Sequence, residues 1–156
     1  MAPTHSSHPS ANILLVSLSP GDAALLEPRL EPIQLPRHSV LERPQEPVEH
    51  LYFPSSGLAS IVIHDGRERQ VETGLFGREG MSGTAVVMGS DCSPQECFMQ
   101  AAGEGRRVSS KDLQEVMDAS STLRLSFLRY VQSLQVQTQH TALANAQARL
   151  DRRLCR

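Results

Sequence analysis

Between Glu31 and Val108 the chain runs in short β-prone pieces, parted by Pro, Gly and Asp about every ten residues. That punctuation leaves no room for long helices there and fits an all-β sandwich or roll. The pieces are Pro32–Leu35, Ser39–Leu41, Val48–Phe53, Leu58–His64, Arg69–Leu75, Thr84–Met88, Glu96–Ala101 and Arg106–Val108. Asp65-Gly66 lies between two of them and predicts a hairpin, because glycine accepts the positive φ of a tight turn. Prolines 32, 36, 44, 47 and 54 confine their segments to sheet edges or turns.

The flanks read differently. Residues 1–10 are rich in Ser, His and Pro, and residues 1–11 are expected to form a disordered tail. From Asn12 to Leu30, Ile13, Leu14, Leu18, Leu25, Leu26 and Leu30 recur near helical spacing. Ser19 is a candidate N-cap and Pro20 a first helical residue, so two short helices are expected. Ser109-Ser110-Lys111-Asp112-Leu113 predicts another helix start, running to about Met117. Residues 121–148 then contain neither Gly nor Pro. Within them Phe127, Val131, Leu134, Thr138, Thr141, Asn145 and Ala148 recur at alternating spacings of 4 and 3. At about 1.5 Å per residue this is a seam some ~30 Å long. A twin helix in a homodimer is the expected cover. Packing back on its own domain is the alternative.

Composition sets the compartment. The core must come from Leu, Val, Ile and Ala, since there is no Trp and only 2 Tyr and 4 Phe. No apolar run reaches the ~18–20 residues that span a bilayer. MAPTHSSHPS lacks the basic and apolar regions of a secretory signal. Cys92, Cys97 and Cys155 form no CxxC pair, which suits a reducing cytoplasm. Charge is uneven: residues 119–156 carry six arginines against Asp151 alone, while the body before them is acidic. A basic end on an acidic body is expected where a chain leads toward nucleic acid.

Four strings in this order resemble the Crp/Fnr family of bacterial regulators. Leu35-Pro-Arg-His-Ser-Val-Leu41 is similar to that family's opening strand pair. Glu49-His-Leu-Tyr-Phe-Pro-Ser-Ser-Gly57 with Leu58-Ala-Ser-Ile-Val62 is similar to its central hairpin, with Gly57 at the turn. Gly77-Arg-Glu-Gly-Met-Ser-Gly83 resembles its glycine-rich segment before the ligand-binding cassette. Thr141–Leu154 resembles the junction between dimer helix and winged helix-turn-helix. The resemblance implies a mainly β fold with flanking α. This is a double-stranded β-helix or jelly roll, the cyclic-nucleotide-binding-like β-roll, followed by a long C-terminal dimerisation helix. It divides the chain into a sensor over 12–118, a dimer helix over 119–148 and the start of a truncated helix-turn-helix over 149–156. It places the effector pocket at Gly80, Gly83, Thr84, Ala85, Ser93 and Pro94, and the dimer interface at Phe127, Val131, Leu134, Thr138, Thr141 and Asn145. It implies a homodimer, DNA contact only through the helix-turn-helix, RNA polymerase contact in the full-length protein, and no membrane partner.

Two departures matter. Family members that bind a cyclic nucleotide carry a Glu just after the last glycine and an Arg about ten residues later for the phosphate. Here Thr84 follows Gly83, and Asp91-Cys-Ser-Pro-Gln-Glu96 holds two acids and no base. A buried phosphate needs a paired cationic donor, so usual cyclic AMP or cyclic GMP binding is not expected. Arg78 is the nearest base in sequence and is expected to be solvated. An iron–sulfur cluster needs more thiolates than Cys92 and Cys97 supply. His50, His64 and His140 are isolated, and Asp91 should push the Cys92 thiol up. The effector is left open, and no cofactor, metal or catalytic residue is expected. A cupin-type metalloenzyme would need an HxH cluster, whereas His38, His50 and His64 lie on separate segments. A stand-alone module acting by protein contacts is the other alternative.

Overall fold

The computed structural model describes residues 11–64 and 70–154, with the side chains of Asn145 and of residues 148–154 outside that description. Residues 1–10 of the expected tail, the Asp65-Gly66 turn and Cys155 lie outside the described residues.

Two short helices open the fold, α1 (Ile13–Val16) and α2 (Pro20–Leu26). Asn12 Oδ1 caps α1 by accepting from the Leu15 amide, and Ser19 Oγ caps α2 by accepting from the Asp22 amide, with Pro20 at the first helical position. Seven strands follow among the described residues: β1 (Glu31–Leu35), β2 (Val40–Glu42), β3 (His50–Pro54), β4 (Leu58–His64), β5 (Gln70–Phe76), β6 (Glu96–Ala101) and β7 (Gly103–Ser109). They form two antiparallel sheets, β1-β7-β3 and β2-β6-β4-β5. Ile63 pairs with Val71 and His64 with Gln70, so β4 and β5 form the expected hairpin. Gly57 sits in the β3–β4 turn, also as expected.

One expected strand is a helix. Thr84–Met88, β-branched and bounded by glycines, folds instead as α3 (Thr84–Val87), with Met88 as its C-cap. Local propensity favours a strand, but burial decides. Ala85, Val86 and Val87 are all buried within this single turn, which starts from Gly83 in the left-handed conformation. Helix α4 (Ser110–Ala119) begins at Ser109, whose Oγ accepts from the Asp112 amide at 3.1 Å. Helix α5 (Ser121–Leu154) then runs without interruption.

Two apolar clusters hold the molecule. The first lies between the helices and the β1-β7-β3 sheet and includes Leu26, Leu51, Phe53, Val108, Leu113 and Phe127. The second fills the roll, with Leu35, Ile61, Phe76, Cys97, Met99 and Leu134. Tyr130 packs against both. A polar joint fixes the start of α5: the buried Asp22 carboxylate accepts from Ser19, Ser120 and Thr122. These bonds hold its carboxyl below the usual range, the Ser120 hydroxyl contributing most.

Candidate functional site

The connection from β5 to β6 contains every residue expected in the effector pocket, and the structure shows what grips it. Gly83 sits at φ +76, in the left-handed region, and a Cβ there would run into Leu51. Its amide donates to Glu42 Oε1 at 2.7 Å. Glu42 ends β2, is only 9% exposed and also faces the Ser93 hydroxyl. Burial pushes the Glu42 carboxyl above its usual range, against the opposing pull of the Gly83 amide and Ser93. Gly80 O accepts from Asn12 Nδ2 at 2.8 Å. Tyr52 and Ser82 exchange two bonds, Ser82 N to Tyr52 O and Tyr52 N to Ser82 Oγ, both 3.0 Å. Tyr130, from α5, donates its hydroxyl to Met81 O at 3.1 Å.

Glu42 thus draws Gly83 and Ser93 together, and Ala85 is buried beside them. Thr84 is half-buried and Pro94 is exposed. Sequence reasoning missed Glu42, Asn12, Tyr52 and Tyr130. Their partners lie 30 or more residues away in the chain, and only the fold joins them.

Acidic side chains outnumber arginines beside Glu42. A cavity of about 320 Å³ opens between β2 and β3, lined by Glu42, Glu46, Glu49, Arg43, His50 and Tyr52 among others. Three carboxylates face one guanidinium there. Arg78 is exposed. Glu96 is engaged with His64 at 2.8 Å. Burial first, then Asp91, pushes the Cys92 thiol up, and burial pushes the Cys97 thiol up much further, so neither favours a thiolate. Among the described residues no three His, Cys, Asp or Glu side chains gather as metal donors. Likewise, no helix among them is long and apolar enough to cross a membrane.

Helix α5 turns part of the expected seam inward. Phe127 is fully buried, 6.0 Å from the Phe53 ring between centroids, and Leu134 is 8% exposed inside the roll. Val131 packs against the first cluster, and the Thr138 hydroxyl lies over Gly74. Thr141 is half-buried on the same face, and the Asn145 side chain lies outside the described residues. The structure thus buries Phe127 and Leu134 of this stripe against the chain's own roll and leaves Val131, Thr138 and Thr141 partly exposed. The opposite face carries Leu125, Leu128, Val136 and Leu143, between 38% and 56% exposed. At about 100° per residue these four share one stripe, half a turn from Phe127 and Leu134.

No protein-family model and no curated protein matches this chain. Solved structures do. The c-di-GMP-responsive global regulator CLP of Xanthomonas campestris aligns with TM-score 0.68 at 19% identity, over 82% of this chain and 65% of that one. The N-terminal domain of a transcriptional regulator from Streptomyces coelicolor A3(2) aligns with TM-score 0.60 at 16% identity, over 86% of this chain and 94% of that one. The sensor domain of the transcriptional regulator DNR from Pseudomonas aeruginosa gives 0.61 at 17%, over 78% and 91%. This chain thus has the cyclic-nucleotide-binding-like β-roll fold followed by a long helix. It spans 65% of the length of the CLP chain.

Proposed function

We propose that this chain is the effector-sensing and dimerisation part of a Crp/Fnr-type DNA-binding transcription regulator, and that it is not a typical cyclic AMP binder. The observation that carries the reading is a helix of 34 residues with two apolar faces, one closed by the roll and one bare. A bare leucine-rich stripe on a long helix calls for a twin, so the second copy sits against Leu125, Leu128, Val136 and Leu143. In this reading residues 12–118 sense, α5 pairs, and DNA contact belongs to a helix-turn-helix in the full-length regulator, together with any contact to RNA polymerase. The acidic lining beside Glu42 supports the exclusion of a cyclic phosphate. The cytoplasm is the matching compartment, and regulation rather than catalysis the matching activity.

Sedimentation of the purified chain tests the pairing: a dimer is expected, with Leu128→Arg and Val136→Arg shifting it to monomer. A monomer at high concentration would end the dimerisation reading. Calorimetric titration with cyclic AMP is expected to show no heat of binding, and a micromolar site would end the claim about the ligand.

A further inference from the structure

The Gly80–Gly83 turn is gripped from four elements at once. Asn12, the N-cap of α1, holds Gly80 O, Tyr52 of β3 holds Ser82, Glu42 of β2 holds the Gly83 amide and Tyr130 of α5 holds Met81 O. Met81 itself is fully buried. A segment so short and so enclosed has no slack, since packed interiors shift between discrete arrangements rather than stretching. The contact with α5 is close as well as polar. A Cβ on Gly80 would collide with the Tyr130 hydroxyl and come within 2.9 Å of the Phe76 Cβ. Of the side chains holding the turn, Glu42 alone carries a carboxyl group, and it is buried.

We propose that Glu42 and Tyr130 are the two ends of one latch: the Glu42 carboxylate sets where the Gly80–Gly83 turn lies, and Tyr130 passes that position to helix α5. Both are positioning residues. Losing the Glu42 bond lets Gly83 and Met81 drift, Tyr130 loses its acceptor, and the hold of α5 on the roll weakens. The buried face of α5 depends on that hold, and the bare stripe is on the same rigid helix, so a change at Glu42 reorients the stripe. This device deepens the proposed function by naming how the roll would be coupled to its pairing helix.

Hydrogen exchange followed by mass spectrometry on the 156-residue chain tests the coupling. Glu42→Ala is expected to speed exchange about five-fold, the worth of one lost hydrogen bond, both in residues 81–88 and in the α5 segment around Tyr130. Tyr130→Phe should do the same in both places, and the double variant should add nothing in α5 beyond either single. Glu42→Gln, which keeps an oxygen acceptor for Gly83, should leave both segments near wild type. If Glu42→Ala does not fold, Tyr130→Phe read at residues 81–88 decides alone. Faster exchange confined to 81–95 in Glu42→Ala, unchanged exchange at 81–88 in Tyr130→Phe, or additive effects in the double variant would overturn the latch. These readouts lie within one chain, so they stand apart from the sedimentation result. A dimer without coupling removes the latch only, and coupling in a monomer removes the dimer only.

Discussion

The two faces of α5 both carry apolar side chains and are opposite in fate. One carries Leu123, Phe127 and Leu134, all buried against the chain's own roll; the other carries Leu125, Leu128, Val136 and Leu143, all partly open. A helix apolar on both sides has to bury two stripes, and a single small roll has surface for one. The roll takes the stripe that includes an aromatic ring. Phe127 fills the space beside Phe53, and the Asp22 joint to Ser120 and Thr122 sets the rotation of the helix at its first turn. The face left over is shorter in aromatic content but long enough to line a partner.

The largest effect should fall on the inner face. Phe127→Ala is expected to cost about 3–5 kcal/mol of stability, because it opens a cavity between two packed layers; urea denaturation measures it. A cost below about 1 kcal/mol would mean that the roll does not need this stripe. Next comes Tyr130→Phe, which deletes one buried bond to Met81 O and should cost about 1 kcal/mol by the same measurement. On the outer face, Leu128→Arg should change the unfolding free energy of the monomer by no more than about 0.5 kcal/mol, since exposed substitutions rarely do more. A large loss there would show that the two faces are not separable.

Two acidic residues sharpen the comparison through pH. Asp22 is held below its unfolded pKa, so its contribution is full above about pH 4 and is lost as pH falls through the lower folded value. Wild type should therefore lose stability in acid more steeply than Asp22→Asn. Glu42 is shifted the other way, so its burial favours the protonated form, and stability falls as pH rises through its folded value. Glu42→Gln should flatten that decline, which begins at the unfolded pKa and ends once pH passes the folded one. Thermal melts across a pH series read both slopes. Parallel slopes for Glu42→Gln and wild type would show that the buried carboxyl is not shifted.

Much of the architecture was legible in the chain. Turn residues placed six of the strands within a residue or two, Ser19, Pro20 and Ser109 marked helix starts, and the Gly- and Pro-free run marked α5. The exceptions share a cause. Thr84–Met88 has strand-like residues but follows Gly83, whose left-handed backbone is packed against Leu51, and there the chain coils into a buried turn. The seam from Phe127 to Thr138 was visible as periodicity, yet periodicity reports that a stripe is apolar and not what covers it. Leu125, Leu128, Val136 and Leu143 were equally present in the sequence. Glu42 gave no local signal at all, because its partners Gly83 and Ser93 come 41 and 51 positions later.

The sequence alone therefore determined the order of most elements, the acidic body, the absence of an Arg or Lys from Asp91–Glu96 and the presence of a long helix with an apolar stripe. Those are properties of composition and spacing, which act over a few neighbouring residues. Tertiary structure decided which face of α5 turns inward, that the segment after Gly83 coils, and that a buried carboxylate grips the Gly83 amide. Each of these is settled by competition between distant groups for one enclosed volume, a quantity that no stretch of chain carries on its own.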